Sequence, residues 1–308
     1  MRKDFLAIAD YSGEQITEML NLAIQLKKEF LSQGNKPILE GKVLAMLFNK
    51  PSLRTRISFD MAMRHLGGDA LFISPDEIGL GKRESIADVA RVLSGYVQVI
   101  MARVFNHKHI IELAKWANIP VINGLSDYNH PCQAMADLLT IFEHFGKLKN
   151  INITYVGDGN NVALSLMHAA AKVGAHFSIA SPKGYDLSEK AIDIGTSFAR
   201  KSGSRLQFLQ NPHEAIKDAD VIYTDTWTSM GQEQEAKKRE DIFPPFQVNS
   251  KLLKEANQGA IVMHCLPAHR GQEITDEVAD GPQSKIFQQA HNRLHAQKAI
   301  LVQLLTKD

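Results

Sequence analysis

Residues 43–56 have the sequence Val-Leu-Ala-Met-Leu-Phe-Asn-Lys-Pro-Ser-Leu-Arg-Thr-Arg, and this stretch indicates the fold class. The first six, Val43–Phe48, are all apolar, which is typical of a strand buried on both faces of a parallel sheet. Residues 55–66 are predicted to form a helix that stops before Gly67-Gly68, a common helix end. A buried strand followed by a helix is the repeating unit of α/β proteins.

The same alternation continues along the chain. The capping-box pattern Ser12-Gly13-Glu14-Gln15 predicts a helix before the first strand. Further strands are predicted at residues 70–73, 97–102, 121–123, 151–156, 176–180, 206–209, 221–224 and 260–264. Further helices are predicted at residues 84–93, 108–116, 132–145 and 284–305. Apolar strands that alternate with helices predict parallel sheets covered on both faces.

The length of the chain favours two domains. There are 308 residues, and domains average roughly 150 residues. The polar segment Gly146-Lys147-Leu148-Lys149-Asn150 separates two series of strands and helices. We therefore predict an α/β protein with two doubly wound parallel-sheet domains of similar size, residues 1–148 and 149–308, and the active site in the cleft between them. The helix at residues 284–305 is expected to pack back on the first domain.

The composition argues against several classes of protein. With 35 Lys+Arg and 34 Asp+Glu, the formal net charge is +1, which gives no overall attraction to nucleic acid or to a membrane. The two cysteines, Cys132 and Cys265, form neither a disulfide framework nor a Cys-x-x-Cys zinc pair. No signal peptide and no apolar run of about 18–20 residues is recognisable. We therefore expect a cytoplasmic protein that holds no metal.

The segment Ser52-Leu53-Arg54-Thr55 joins the first strand to its helix and has the features of an anion site. Free N–H groups and the positive end of the helix dipole favour an anion at a helix start. The hydroxyls of Ser52 and Thr55 and the guanidinium of Arg54 suit a phosphate group. The Walker pattern is absent, so a nucleoside triphosphate is not indicated. A serine-capped helix with solvated arginines is the alternative interpretation.

Two further segments are expected at the same sheet edge, because the carboxyl ends of parallel strands gather there. Arg103 follows the strand at residues 97–102, and His130-Pro131-Cys132-Gln133 follows the strand at residues 121–123. An Arg, a His and a Gln at this edge could polarise a carbonyl group. Taken singly, a helix-capping histidine and an ion-paired arginine are alternative interpretations.

In the second half, Gly157-Asp158-Gly159-Asn160-Asn161 follows a predicted strand. A dinucleotide-binding fingerprint would need a third glycine, but Val162 and Ala163 stand there, and no acidic residue follows the next strand. Binding of NAD by an oxidoreductase is therefore poorly supported. A turn that presents Asn161 to a ligand fits better.

Two other strand ends carry polar or reactive side chains. A polar stretch of roughly twenty residues, too long for an ordinary connection, begins with Asp225-Thr226-Trp227-Thr228-Ser229-Met230-Gly231. Its carboxylate suits a ligand ammonium, although a surface turn would contain the same residues. His264-Cys265-Leu266-Pro267 follows the last strand, where a thiol nucleophile or a metal site must be considered. Alternation along a strand would point His264 away from Cys265, so Cys265 is expected only to line a pocket.

Together these segments resemble the aspartate/ornithine carbamoyltransferase family, in order and over almost the whole chain. Ser52-Leu53-Arg54-Thr55-Arg56 is similar to the family's carbamoyl-phosphate signature, usually Ser-Thr-Arg-Thr-Arg, and His130-Pro131-Cys132-Gln133 to its second phosphate-domain motif. Asp225-x-x-x-Ser229-Met230-Gly231 and His264-Cys265-Leu266-Pro267 resemble the motifs that separate ornithine-using members from aspartate-using ones.

The resemblance implies carbamoyl transfer from carbamoyl phosphate to the δ-amine of L-ornithine, giving L-citrulline and phosphate without a cofactor. The residues implied for carbamoyl phosphate are Ser52, Leu53, Arg54, Thr55, Arg103, His130, Gln133, Cys265, Leu266 and Arg293. Those implied for ornithine are Asn161, Asp225, Ser229 and Met230. The implied catalytic residues are Arg103, His130, Asp225 and Cys265. A role in arginine biosynthesis and a homotrimer, or a larger assembly of trimers, are implied as well.

Two positions depart from the family pattern. Leu53 replaces the usual Thr, which removes a hydroxyl but keeps the backbone N–H. Gly79 stands where related enzymes commonly have Gln or His, in a loop that reaches carbamoyl phosphate in a neighbouring subunit. Whether Lys82 or Arg83 replaces that contact stays open. Two alternatives stay open. The acceptor could be putrescine, N-acetylornithine or aspartate, or the protein could be a non-catalytic phosphometabolite-binding relative.

Overall fold

Two parallel β-sheets organise the chain, in a computed structural model that describes residues 3–81, 83–229 and 233–306. Each sheet belongs to its own compact unit. Unit 1 comprises Met1–Leu139 with Asn292–Asp308, and unit 2 comprises Thr140–His291. The predicted class, two parallel-sheet α/β domains of similar size, is confirmed, while the predicted cleft stays a prediction.

The sheet of unit 1 has the strand order β2-β1-β3-β4, and all neighbouring strands are parallel. Its strands are β1 (Val43–Phe48), β2 (Asp69–Ile73), β3 (Val99–Arg103) and β4 (Val121–Leu125). The helices that begin in this unit are α1 (Gly13–Gln33), α2 (Leu53–His65), α3 (Pro75–Ile78), α4 (Ile86–Ser94), α5 (His107–Trp116) and α6 (Pro131–Phe145). The central strands β1 and β3 are buried almost throughout, as their unbroken apolar sequences predict.

The sheet of unit 2 has the strand order β7-β6-β5-β8-β9 and is also parallel. Its strands are β5 (Asn152–Val156), β6 (His176–Ala180), β7 (Leu206–Leu209), β8 (Val221–Thr224) and β9 (Ile261–His264). The helices that begin in this unit are α7 (Asn161–Val173), α8 (Glu189–Ser202), α9 (Pro212–Ala215), α10 (Ala236–Ile242), α11 (Ser250–Leu253), α12 (Asp276–Ala279) and α13 (Ile286–Leu305).

Helix ends follow the capping residues in the sequence. Ser12 forms the predicted capping box with Gln15, in which its Oγ accepts from the Gln15 N–H and the Gln15 side chain accepts from the Ser12 N–H. Helix α4 begins two residues later than predicted, because the Ser85 side chain caps it by accepting from the Asp88 N–H.

Two stretches that were predicted to be loops contain short helices. The charged segment after β2 forms α3, and the polar stretch that begins at Asp225 includes α10. Both helices are too short to show a clear apolar periodicity, so their sequences resemble loops. None of the helices in the described ranges combines the length and apolar character needed to cross a bilayer.

Candidate active site

Both sheets have a point where the strand order reverses. In unit 1 this point lies between β1 and β3, and in unit 2 it lies between β5 and β8. Open α/β sheets bind ligands outside the carboxyl ends of strands at such points. The segments singled out from the sequence lie at these ends, since Ser52 follows β1, Arg103 ends β3, Asn160 follows β5 and Asp225 follows β8.

In unit 1, the turn after β1 presents the start of α2. Ser52 has an extended backbone conformation and caps the helix, because its Oγ accepts a hydrogen bond from the Thr55 N–H at 3.3 Å. The Ser52 hydroxyl also lies 3.0 Å from the Thr55 hydroxyl. Leu53, which opens the helix, is 75% exposed. The helix start therefore combines backbone N–H groups with two adjacent hydroxyls, as an anion site requires.

Arg293 of α13 completes this cluster within unit 1. Its Nη2 donates to the Thr55 Oγ1 at 2.7 Å, and its Nη1 donates to the Gln133 Oε1 at 2.8 Å. The same Nη1 lies 3.5 Å from the His130 Nε2. Arg293 is only 3% exposed, so its charge acts in a site largely removed from water. Residues from three distant parts of the chain thus meet around one guanidinium.

The imidazole of His130 is held neutral. Burial lowers its pKa well below the usual value, and the positive charges of Arg293, Arg103 and Arg54 lower it further. These three guanidinium groups act on one buried position, so a small anion bound there would be strongly favoured. The neutral imidazole keeps a single ring proton, which suits it to donate a hydrogen bond to a carbonyl oxygen.

Cys132 belongs to the His130-Pro131-Cys132-Gln133 motif but has a supporting role. Its Sγ donates to the Asn123 carbonyl oxygen at 3.4 Å, beside an amide pair in which Asn123 donates to Asn129. Burial raises the pKa of the Cys132 thiol to about 12. A thiol with this pKa is not a nucleophile near neutral pH, so Cys132 holds the loop in place.

The structure gives a conformational reason for Gly79. This residue caps α3 in the left-handed region, with φ 50 and ψ 41. A Cβ built on Gly79 would lie 2.7 Å from the Arg83 Cβ. A Gln or His at this position would therefore require the loop to change shape. The Nη1 of Arg83 donates to the Glu77 carbonyl oxygen within the same loop, and Lys82 lies outside the described residues.

In unit 2, Asp225 is the centre of a buried polar group. The Asn160 Nδ2 donates to its Oδ2 at 2.9 Å, and the Cys265 Sγ donates to its Oδ1 at 3.0 Å. The Thr226 N–H donates to the same Oδ1 at 2.8 Å. These donors fix the orientation of the carboxylate, as a binding site for an ammonium group requires.

Asn161 is the residue expected from the sequence to face a ligand, and the neighbouring Asn160 contacts Asp225. Asn160 caps α7, since its Oδ1 accepts from the N–H groups of Val162 and Ala163, and its amide reaches Asp225. Asn161 is the first residue of the helix and is half-buried. The Gly-Asp-Gly-Asn-Asn segment offers two adjacent asparagines, and only the helix geometry decides which one faces the carboxylate.

The expectation that His264 points away from Cys265 is wrong. Ligand atoms of Asp225, His264 and Cys265 all lie within 4.8 Å of one another. The reason is that β9 ends at His264, so the strand alternation does not extend to Cys265. The His264 Nδ1 accepts a hydrogen bond from the Leu266 N–H at 2.8 Å, and its Nε2 forms a hydrogen bond with the Glu273 Oε1 at 3.0 Å. Because both ring nitrogens are engaged, His264 supports the backbone of this loop and offers no lone pair to a metal.

Arg239, in the polar stretch after β8, forms a buried ion pair with Asp158 that was not predicted from the sequence. The Arg239 Nη1 in α10 donates to the Asp158 Oδ2 at 2.9 Å and to the Trp227 carbonyl oxygen at 2.7 Å. Its guanidinium lies 4.7 Å from the centre of the Tyr185 ring. Burial raises the pKa of Asp158 to about 6, while Arg239 opposes that rise. These contacts link α10 to Asp158 after β5 and to Trp227, which lies between Asp225 and Ser229 in the sequence.

Each unit thus gathers its own share of the predicted site residues. Unit 1 contains Ser52, Leu53, Arg54, Thr55, Arg103, His130, Gln133 and Arg293. Unit 2 contains Asn161, Asp225, Ser229, Cys265 and Leu266, and Met230 lies outside the described residues. The first group suits a small anion next to a carbonyl group, and the second suits an amine. This division is typical of a two-domain transferase whose substrates are held by different domains.

Comparison with known proteins places the chain within that class. Residues 3–143 match the family model "Aspartate/ornithine carbamoyltransferase, carbamoyl-P binding domain". Residues 149–304 match "Aspartate/ornithine carbamoyltransferase, Asp/Orn binding domain". The chain belongs to the aspartate/ornithine carbamoyltransferase family.

Individual relatives agree with this assignment over their full length. An ornithine carbamoyltransferase of Anoxybacillus flavithermus is 55% identical over 98% of this chain and 96% of its own. A Pyrococcus furiosus protein named "Ornithine carbamoyltransferase, anabolic" is 54% identical over 97% of this chain and 95% of its own. The solved structure of ornithine carbamoyltransferase from Pyrococcus furiosus has a TM-score of 0.97 with 52% identity, covering 99% of this chain and 98% of that chain.

Proposed function

We propose that this protein is an enzyme that transfers the carbamoyl group of carbamoyl phosphate to the δ-amine of L-ornithine, releasing L-citrulline and phosphate. The observation that carries the proposal is the convergence of Arg293 with Thr55, Gln133 and His130 in unit 1. Residues 1–148 would form the carbamoyl-phosphate domain and residues 149–308 the ornithine domain, with the end of the last helix, which contains Arg293, packed on the first domain. Carbamoyl phosphate carries an anionic end and a carbonyl end, which matches the two kinds of group in that cluster.

In this proposal the phosphate group lies at the start of α2. The backbone N–H groups that begin at Leu53, the hydroxyls of Ser52 and Thr55, and the guanidinium of Arg54 bind its oxygens. Leu53 keeps its backbone donor, so the missing threonine hydroxyl costs little. Arg103, His130, Gln133 and Arg293 hold the carbamoyl group, with Cys265 and Leu266 at its border.

The ornithine side of the proposal rests on the group around Asp225. Its carboxylate, oriented by Asn160, binds the α-ammonium of ornithine, and Asn161, Ser229 and Met230 hold the α-carboxylate end. Cys265 lies beside Asp225 and borders the δ-amine. Putrescine lacks the α-carboxylate and N-acetylornithine lacks the α-ammonium, so this site discriminates against both.

The reaction then needs no cofactor. The lone pair of the neutral δ-amine forms a C–N bond to the carbonyl carbon, and the carbonyl oxygen becomes an oxyanion. Arg103, the His130 N–H and the Thr55 hydroxyl stabilise that charge. The C–O bond to phosphate then breaks, phosphate leaves with the electron pair and accepts the second amine proton. An ammonium with a pKa of ~10 must lose one proton before attack, so the rate rises with pH below that value.

We further propose that the enzyme acts in arginine biosynthesis in the cytoplasm, as a homotrimer or a larger assembly of trimers. The name of the anabolic relative supports the direction of the reaction. The loop around Gly79 is the segment implied to reach a neighbouring subunit. Light scattering on the purified protein measures the mass of the assembly, and a monomer at micromolar concentration would contradict this part of the proposal.

The deciding experiment is a parallel assay of acceptors. The purified enzyme is incubated with carbamoyl phosphate and with L-ornithine, aspartate, putrescine or N-acetylornithine, and each carbamoylated product is measured. We expect citrulline to form at a kcat/KM at least about a hundredfold above that for the other acceptors. The Arg54→Ala variant, whose carbamoyl-phosphate site is impaired, controls for contaminating activity.

A further inference from the structure

Unit 2 contains a polar groove of about 510 Å³ at the opposite end of its sheet from Asp225. The groove is lined at the amino ends of three strands and at the turn before a fourth. Its lining residues are Asn152, Thr154, His176, Ser178, Arg205, Gln207, Lys217 and Asp218. The strands have four or five residues, so at ~3.3 Å per residue roughly 15 Å separates the groove from the carboxyl ends of the strands, where Asp225 lies.

The polar side chains form an aligned row on one face of the sheet. Thr154 of β5 pairs directly with Ser178 of β6, and Ser178 pairs with Gln207 of β7. In the preceding row, Asn152 pairs with His176. Because side chains alternate between faces, all these groups lie on the same face. A doubly wound sheet normally covers both faces with apolar side chains, so a polar row needs an explanation.

Two lining side chains, Gln207 and His176, keep N–H donors that can face the groove. The Ser178 hydroxyl donates to the Gln207 Oε1 at 3.0 Å, which leaves the amide N–H groups of Gln207 available. The His176 Nδ1 accepts from the Arg205 backbone N–H at 3.1 Å, so its ring proton is on Nε2. Thr154 is buried and donates to the Ala215 carbonyl oxygen.

Two cations complete the lining. Within the described ranges, neither the Arg205 guanidinium nor the Lys217 ammonium forms an ion pair, and both are exposed. Burial lowers the pKa of His176, and the nearby positive charge of Arg205 lowers it further. Asp218 is the one carboxylate among the lining residues, so the balance of charge favours an anion.

We propose that this groove binds a phosphate group through Arg205, Lys217, His176 and Gln207. A guanidinium, an ammonium and neutral N–H donors are the groups that bind phosphate oxygens. The volume exceeds what a bare phosphate ion fills, so a small phosphate monoester is the favoured form. The site lies outside the machinery assigned to carbamoyl transfer and does not depend on the proposed function.

Phosphate is also a product of the proposed reaction. The test is therefore made in a protein whose proposed phosphate site at the start of α2 is impaired. Calorimetric titrations with inorganic phosphate and with glycerol 3-phosphate compare Arg54→Ala with the triple variant Arg54→Ala/Arg205→Gln/Lys217→Gln. We expect saturable binding to Arg54→Ala and at least about tenfold weaker binding to the triple variant. The two ligands distinguish free phosphate from a phosphate monoester.

A matched control carries Lys190→Gln and Arg200→Gln in the Arg54→Ala background. Both residues are exposed on α8, outside the groove lining. Their substitution removes the same two positive charges as Arg205→Gln/Lys217→Gln. We expect this control to bind like Arg54→Ala. Absence of saturable binding of either ligand to Arg54→Ala, or equal weakening in the control and the triple variant, overturns the proposal. Thermal unfolding of each variant verifies that the fold is intact, and since the lining cations are exposed we expect no loss of stability.

Discussion

The guanidinium of Arg293 donates a hydrogen bond to the Thr55 hydroxyl across 238 positions of sequence, with 2.7 Å between Nη2 and Oγ1. A single residue of the last helix thereby joins the helix start after β1 to Gln133 in α6. The anion site of unit 1 is complete only when the end of the chain has packed onto the unit. Folding and assembly of the site are therefore coupled.

Replacing Arg293 with Lys should weaken carbamoyl-phosphate binding. Lysine keeps the charge, but its donors are on one nitrogen atom and cannot reproduce the fork in which Nη2 reaches Thr55 and Nη1 reaches Gln133. We expect KM for carbamoyl phosphate to rise at least about tenfold, with a smaller effect on KM for ornithine, in steady-state kinetics. Arg64→Lys is the matched control, since Arg64 forms an exposed i,i+4 ion pair with Asp60. Unchanged saturation by carbamoyl phosphate in Arg293→Lys would contradict the assignment.

Replacing Asp225 with Asn should damage the use of ornithine selectively. Asparagine has a similar shape, but it removes the negative charge that we propose binds the α-ammonium and that accepts from Asn160 and Cys265. We expect KM for ornithine to rise about a hundredfold or more while KM for carbamoyl phosphate changes little. Equal increases in both constants would count against the role of Asp225. Asp241→Asn, a change in the same unit at a residue outside the site, is the control.

Removing Arg239 should destabilise the protein and loosen the segment around Asp225 and Trp227. Arg239→Met leaves the Asp158 carboxylate buried without its counter-charge and removes the bond to the Trp227 carbonyl oxygen. We expect a loss of about 3–5 kcal/mol in the free energy of unfolding, measured with urea, and a higher KM for ornithine.

The double variant Arg239→Met/Asp158→Asn tests the physical cause. Neutralising Asp158 removes the uncompensated charge, so the double variant should be more stable than Arg239→Met alone. A double variant that is less stable by the full sum of the two single effects would show that the two residues act independently.

The thiol of Cys132 should be unreactive in the folded protein. Because burial raises the pKa of Cys132 to about 12, its thiolate is scarce at pH 8. We expect iodoacetamide to leave Cys132 unmodified in the native protein and to label it after unfolding, as read by peptide mass spectrometry. The Cys132→Ala variant identifies the peptide. Native labelling of Cys132 at the rate of the unfolded chain would refute the structural role given to this thiol.

Lys298 should make stability depend on alkaline pH. Its side chain is fully buried, lies 4.2 Å from the centre of the Phe30 ring and donates to Asn35. Burial lowers its pKa from 10.5 to about 8. Between these values the unfolded chain holds a proton that the folded chain has lost. The free energy of unfolding therefore gains a favourable contribution as pH rises through this window, approaching roughly 3 kcal/mol near pH 10.5.

The Lys298→Met variant isolates this effect. Methionine fills a similar volume without a titrating group, so its unfolding free energy should lack the rise between pH 8 and 10. The difference between parent and variant, measured by urea unfolding at several pH values, gives the contribution of Lys298. Parallel curves across that range would falsify the assignment of the buried ammonium.

Most strands were predictable because their signal is local. Val43–Phe48 is an apolar run whose burial follows from composition alone. The predicted bounds of this strand, of His176–Ala180 and of Val221–Thr224 coincide with the observed ones. The observed start of a helix differs from the predicted start where a capping side chain sets it. Helix α2 begins at Leu53 because Ser52 caps it, two residues before the predicted start.

Side chains that act together were predictable only as members of motifs. The strand order places Ser52 and Arg103 at one reversal point and Asp225 at the other, which agrees with parallel topology. Asn160, Asp158 and Arg239 were missed, since each depends on a partner 65 to 81 positions away. The error at His264 arose because a strand rule was applied one residue past the end of β9.

The order of residues is enough to predict the alternation of strands and helices, the parallel sheets and the motifs that carry the chemistry. These depend on periodicity and capping, which act over a few neighbouring residues. Folding makes His130 neutral among three arginines, brings Asn160 to Asp225, and gathers polar groups in a groove at the amino ends of the strands in unit 2. Charge and hydrogen bonding depend on distances through space and on exclusion of water, and both exist only after the chain has folded.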